Sequence, residues 1–430
     1  MIRIGSCIVV CLLAFNLWAT EAKTITVVHA GMLLAVPGEA PELEQTVVLG
    51  DNLITQVLDG FIDPSSISPN AEFIDLSDMF VLPGLMDMHV HLLNELGPNT
   101  RNDALTTTSS LAAMRGAQFA RRTLLAGFTT VRDLGGDPEA IYALREAIKR
   151  GYVPGPRIFA AGSPIAATGG HGDVDGVTPE LMALWTPATI CDGPYDCRRA
   201  TRYAVKHGAD WIKITATGGV LSDSATGLEL QMTVDELEEI VATAHNLGRK
   251  VAAHAHGTTG INAALRAGVD SIDHGTFLDK ESVRLFKRTG AYFVPTMLPG
   301  HLVQKTMEGN PFFTSAIRDK VRKASGASKA SVKLAYDAGV KIAFGTDTGV
   351  TKHGKNAEEF ALMVDAGMSA MDAIHAATVV TAQLLERSDE LGTIEPGKIA
   401  DLIAVSGDPL QEIKILEDVR VVIKDGKLVR

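Results

Sequence analysis

His89 and His91 stand two apart at the end of the apolar run in Pro83-Gly84-Leu85-Met86-Asp87-Met88-His89-Val90-His91. Residues i and i+2 of a strand point to one side, so both imidazoles can reach one metal ion. His254 closes a second apolar run, His274 a third in Ser271-Ile272-Asp273-His274-Gly275, and Asp347 a fourth in Phe344-Gly345-Thr346-Asp347. An isolated His-x-His is more often a pair of core or surface histidines. Histidines and a carboxylate ending several strands at one face are more simply explained as a metal site. Lys213 alternates with Ile212 and Ile214 in Trp211-Ile212-Lys213-Ile214-Thr215 and therefore faces inward. A bare ammonium is costly there, and the plain reading is a lysine paired with a carboxylate. His256 is a rival ligand, ranked lower because Gly257 beside it suggests that the chain has already left the strand.

The elements that must position these residues alternate in type. Strand candidates recur at Leu85–Val90, Thr129–Arg132, Arg157–Ala161, Trp211–Thr215, Lys250–His254, Ser271–Asp273, Tyr292–Pro295 and Lys341–Gly345. Amphipathic helices separate them. One has Asp137 as N-cap, Pro138 at its first position and Gly151 past its end. Another opens on the capping box Thr233/Glu236, and Val234, Leu237, Val241, Ala244 and Leu247 form its apolar face. Eight strands separated by helices predict an α/β fold, a (β/α)8 TIM barrel with its site at the C-terminal strand ends. No Gly-x-Gly-x-x-Gly is placed after a strand to suggest a dinucleotide site. Both chain ends read instead as short strands and turns: Thr24–His29, Thr46–Leu49 and Leu53–Leu58 before the middle, Asp401–Ser406 and Val419–Lys424 after it. The expected layout is a composite β-sandwich domain from residues 23–82 and 391–430 around a barrel over 83–390.

This constellation resembles the amidohydrolase superfamily: His-x-His after the first strand, a lysine on the fourth, histidines on the fifth and sixth, an aspartate on the eighth. Gly392-Thr393-Ile394-Glu395-Pro396-Gly397-Lys398-Ile399-Ala400-Asp401-Leu402 looks like that family's re-entry into its composite sheet domain. The resemblance implies a Lys213 carbamylated by CO2, an anion able to bridge two divalent ions, expected to be zinc. His89, His91 and Asp347 would hold the more buried ion, His254 and His274 the other. Asp347 would act as the catalytic proton acceptor. Val131-Arg132-Asp133-Leu134-Gly135-Gly136, Thr168-Gly169-Gly170-His171-Gly172-Asp173, Thr217-Gly218-Gly219-Val220 and His353-Gly354-Lys355-Asn356-Ala357-Glu358 look like the imidazolonepropionase-related branch. That branch includes prolidases, dipeptidases releasing C-terminal arginine or lysine, and enzymes cleaving the amide of ochratoxin.

The resemblance therefore implies a small-molecule partner, a dipeptide or N-acyl amino acid. Its carboxylate needs a cation or donors, and His171, His353 and Arg132 are the candidates on loops near the strand ends. A lactam or imidazolone is the alternative substrate class. A deaminase on this fold is expected to use one metal, which Lys213 argues against. A metal-binding barrel without turnover would lack a ligand or Asp347, and neither is missing.

A formal charge of -11, with no Lys/Arg-rich run, argues against a nucleic-acid partner. Hydrophobic residues at 46% and charged residues at 21% are ordinary for a folded chain. Arg3, the apolar stretch Ile4–Ala19 and the small residues around Thr20–Ala22 predict a signal peptide over residues 1–22, hence a secreted or periplasmic protein. No later stretch is long and apolar enough to span a bilayer, and a homo-oligomer is expected. Cys191 and Cys197 are then the cysteines of the mature chain, and their spacing alone leaves a disulfide or two thiols equally open.

Overall fold

The computed structural model describes residues 24–430 except 176, 223–226, 308–309 and 311. The expected signal peptide lies outside the described residues. The first strands are β1 (Ile25–Leu33), β2 (Glu42–Gly50), β3 (Leu53–Asp59) and β4 (Glu72–Pro83). The middle of the chain supplies β5 (Leu85–Val90), β6 (Phe128–Asp133), β7 (Arg157–Ala160), β8 (Trp211–Thr215), β9 (Lys250–Ala255), β10 (Ser271–His274) and β11 (Tyr292–Val294). The last strands are β12 (Leu402–Val405), β13 (Val421–Lys424) and β14 (Lys427–Leu428).

Both chain ends meet in a single seven-stranded sheet of order β14-β13-β12-β4-β1-β2-β3. Its centre, β4, is a strand that the terminal β pattern does not disclose. Asp75 and Asp78 interrupt the apolar alternation, and only Leu76 and Phe80–Pro83 are buried. The join is tight. Phe80–Pro83 pair antiparallel with Leu402–Val405, and Arg157 donates to Asp401 at 3.0 Å and Asp425 at 2.5 Å.

The middle forms two parallel sheets, β5-β6-β7 and β11-β10-β9-β8, with helices between successive strands. This is an α/β architecture. Met86, Met88, Trp211, Ala252, Val294 and Ala343 belong to one buried cluster, so both sheets face a shared interior. Single bridges link the pieces: Ile165 to Ile214, Phe293 to Ile342 and Val90 to Thr348. The strand expected at Lys341–Gly345 is present only as such bridges. Its backbone bonds Phe293 on one side and Met88 and His89 on the other, before Asp347 turns to φ 56° and breaks the ladder.

The helix caps fold as they read, but of the expected apolar face Val234 and Leu247 are exposed, and Leu237, Ile240, Val241 and Ala244 form the buried side. Asp137 caps Pro138–Lys149 by accepting from Glu139 N at 2.9 Å, and Glu236 accepts from Thr233 N at 2.8 Å at the start of Val234–Asn246. Cys191 and Cys197 form a disulfide, tying the segment after β7 to the helix Pro194–His207. No helix among the described residues is long and apolar enough to cross a membrane.

Candidate metal centre and substrate cavity

The ends of β5, β8, β9 and β10 and the segment 345–347 open into one cavity of about 600 Å3, lined by His89, His91, Lys213, His254, His274 and Asp347. Asp347 Oδ1 lies 3.2 Å from His91 Nε2 and 3.6 Å from His89 Nε2. One ligand atom each from His89, His274 and Asp347 falls within 4.8 Å of the others, and the same holds for His254, His256 and His274. His256 thus joins the cluster although β9 ends at Ala255, because Thr217 Oγ1 accepts from its backbone N–H at 3.0 Å and holds the turn inward.

Hydrogen bonds orient the imidazoles. His91 Nδ1 donates to Gly135 O at 2.8 Å, which leaves the lone pair on Nε2, beside Asp347. Thr296 Oγ1 holds His274 Nδ1 and Thr276 Oγ1 holds His256 Nδ1, each at 2.7 Å. His89 Nδ1 is buried and faces Asp273 Oδ2 at 3.5 Å without making a hydrogen bond. Burial, reinforced by neighbouring imidazoles, drives the pKa of His254 and His274 well below the ordinary value and that of His256 down to about 3, so their rings are neutral. Burial opposes the charge on Asp347, but His89 and then His91 hold it ionised below the usual range. Neutral rings at His254, His256 and His274 beside the ionised Asp347, with an orphaned buried ring nitrogen on His89, are a donor set that fits divalent metal. At His91 burial is outweighed by Asp347, which raises its pKa.

The backbone here is strained. His274, Thr296 and Asp347 adopt φ of 71°, 46° and 56°, a region L residues rarely occupy and β-branched residues least of all. Strain held in place at the ends of three elements marks a site whose geometry the surrounding packing enforces.

Beneath the histidines lies an ionic layer. Lys213 Nζ donates to Asp273 Oδ2 at 2.6 Å, while Arg132 donates to Asp273 Oδ1 at 3.2 Å and Met88 O at 2.7 Å and stacks on Trp211 at 4.5 Å. Burial lowers the pKa of Lys213, with Asp273 opposing that effect. Lys213 also reaches the cavity, so it joins floor to site. Asp273 itself escaped the motif reading. The i, i+2 alternation of Ser271 and Asp273 could have placed it inward, as it did Lys213. Asp87 is a second carboxylate not anticipated: it accepts from Thr346 Oγ1 at 2.6 Å and Asn356 Nδ2 at 2.8 Å, and burial pushes its pKa up to about 6.

The three expected substrate contacts separate. His171 lines the cavity, its ring 4.3 Å from that of His254 and its Nδ1 2.5 Å from Ser222 Oγ. Arg132 does not line it: every guanidinium nitrogen is engaged in the floor, and the residue is fully buried. His353 does not line it either. Its Nε2 donates to Asn94 O at 2.8 Å and its ring stacks on Phe119 at 4.8 Å. The loop that carries Ser222 is held by Lys320, a buried ammonium donating to Gly219 O at 2.9 Å and Ser222 O at 2.6 Å. Gly219 is required there, since a Cβ would meet the His171 ring at 2.2 Å.

Residues 80–429 match the Amidohydrolase family. The chain belongs to this family. As an amidohydrolase it is a hydrolase acting on amide bonds. A crystal structure of a Xaa-Pro dipeptidase with methionine bound in its active site superposes with a TM-score of 0.87 and 43% identity, covering 95% of this chain and 100% of that one. The ochratoxinase of Aspergillus niger is 30% identical over 95% of this chain and 88% of its own length. The imidazolonepropionase of Salinispora arenicola is 25% identical over 82% of this chain and 84% of its own. The amidohydrolase thus falls in the branch that these proteins share.

Proposed function

We propose that this amidohydrolase cleaves the amide of dipeptides or N-acyl amino acids on a (β/α)8 barrel, closed by segment 341–347 and capped by a composite sheet domain. His89, His91, Asp347, His254 and His274 would hold two divalent ions, zinc, with Lys213 as the bridging N6-carboxylysine. The observation that carries this reading is Asp347 lying between His89 and His91, with His274 in reach and Lys213 opening into the same cavity. His256 is the competing ligand for the second ion. When bound, the ions would polarise the carbonyl and acidify the attacking water. Asp347 accepts that water's proton and returns it to the leaving nitrogen. Water's oxygen bonds to the carbonyl carbon, the C–N bond breaks, and a carboxylic acid and an amine leave. His171 Nδ1 is engaged by Ser222, so its Nε2 is the nitrogen available to the substrate's carboxylate or carbonyl. The Cys191–Cys197 disulfide supports a secreted or periplasmic location, where such bonds persist.

The test is hydrolysis of a dipeptide and N-acyl-amino-acid library by purified, metal-analysed protein. Two metal equivalents with release of a free amino acid support the reading. Opening of lactams with no dipeptide cleaved would replace it, and a single equivalent in fully active protein would remove the bridging role of Lys213. Lys213→Ala should abolish activity and loosen metal.

A further inference from the structure

We infer that the cavity carries a dedicated recess for a bulky apolar group of the substrate, an inference that rests on the amide-hydrolase reading above. The recess is formed by Leu96, Val220, Leu221, Val303, Val321 and Val350, all of which line the cavity. These residues come from five separate places along the chain. Val303 and Val321 sit on the helices Leu298–Thr306 and Ser315–Asp337, and the other four on the segments that follow β5, β8 and residue 347.

The recess is not a patch of the main core. Val303 and Val321 pack with Met307, Phe313 and Ile317 in a small hydrophobic cluster of their own, against which Leu96, Val220, Leu221 and Val350 rest. Val303 and Val321 are nearly fully buried where the cluster meets the cavity, and the half-buried Leu96, Val220, Leu221 and Val350 present apolar surface to it. Apolar surface facing water is unfavourable, and an interior normally closes such a gap by packing. Here the gap is kept, as expected of a surface that a ligand covers. The lining also carries polar groups: Arg115 Nη2 donates to Asn94 Oδ1 at 3.2 Å and its Nε to Leu93 O at 3.0 Å, and Thr107 and Asp103 line the cavity too. A cavity lined by both apolar and polar groups suits an amphipathic substrate. At about 600 Å3 it is also within the roughly 300–1,000 Å3 range that takes drug-sized molecules, well beyond the needs of a glycine-sized residue. The recess is therefore a specificity element, and the ligand chemistry is a large aliphatic or aromatic group next to the scissile amide.

That group can sit on the acyl or on the amine side, and two substrate series separate these. Glycyl-alanine, glycyl-leucine and glycyl-phenylalanine vary the leaving residue, whereas alanyl-, leucyl- and phenylalanyl-glycine vary the acyl residue. In one series kcat/KM should rise by about fourfold per buried methylene. Leu221→Ser and Val303→Ala should then cut the phenylalanine substrate at least tenfold while leaving the alanine substrate within twofold. Flat kcat/KM in both series, or variants that slow all substrates equally, would overturn the recess while leaving amide hydrolysis intact. Failure to cleave any member would count against the amide-hydrolase reading itself. The recess is then read by calorimetric binding of N-acetyl-phenylalanine against N-acetyl-alanine, with equal affinities in wild type overturning it. Leu221 lies on a loop segment and is only half-buried, so Leu221→Ser still reports if Val303→Ala fails to fold.

Discussion

His171 and His353 both occupy glycine-rich loops beyond inner strand ends, and the molecule uses them in opposite ways. His171 has one nitrogen engaged by Ser222 and presents its ring to the cavity beside His254. His353 donates Nε2 to Asn94 O, stacks on Phe119 and is shut away from the cavity. Arg132 falls on the His353 side of this divide, its guanidinium wholly engaged beneath the site. A side chain's type and loop therefore say that it can bind an anion. Whether it does is decided by whether the fold leaves one of its polar atoms facing the cavity, as it does for His171 and not for His353 or Arg132.

Substitutions can break this contrast. The largest effect is expected at Arg132→Met, which takes the guanidinium away from the buried Asp273 carboxylate and removes the bonds to Met88 and Ser271. Loss of one partner from a buried ionic cluster costs about 3–5 kcal/mol, to be read as a fall in denaturant midpoint. A raised KM with unchanged stability would instead return Arg132 to the substrate. His171→Ala should lower kcat/KM by about tenfold to a hundredfold, the worth of a hydrogen bond to a charged group, with melting temperature and metal content unchanged.

His353→Gln should do the reverse, costing about 1–3 kcal/mol of stability while kcat/KM for the folded fraction holds. Its pH dependence sharpens the point. Burial lowers the His353 pKa from 6.5 to about 4. The unfolded chain therefore binds the proton first as pH falls. This contribution to stability is full above pH 6.5, is lost between 6.5 and about 4, and is gone below. His353→Gln should flatten the decline of melting temperature in that window, and an unaltered slope would show that the ring is not buried as described. The smallest effect is expected at Lys320→Met, which frees Gly219 O and Ser222 O and loosens the loop that orients His171. A loss of about threefold to tenfold in kcat/KM, of the size of one ordinary hydrogen bond, should vanish in a His171→Ala background. Additive losses would mean that Lys320 does not act through His171.

Much of the site was legible because strand alternation and strand ends are local signals. His89, His91, Lys213, His254, His274 and Asp347 all open on the one cavity. What the sequence hid was partnership across space. Asp273 gives no local sign that it joins Lys213 to Arg132, strands apart in the chain. His256 looked displaced by Gly257, yet Thr217 from another loop draws it in. The final inner strand appears only as scattered bridges because Asp347 leaves the extended region. β4 was obscured by its acidic residues, which sit on the exposed part of a strand whose other end is buried.

The pairing of β4 with β12 also constrains the order of events during synthesis. Val81 and Leu82 cannot be covered until Ala404 and Ile403 have left the ribosome, after all the inner strands. Contacts so distant along the chain form late, since loop closure must come first. Until then the nascent protein carries an apolar strand edge, the kind of surface that chaperones shield and that recruits other chains when left bare. A message truncated thirty codons early would give a chain with its cavity histidines complete but without β12, β13 and β14, marked for proteolysis by the open edge of β4.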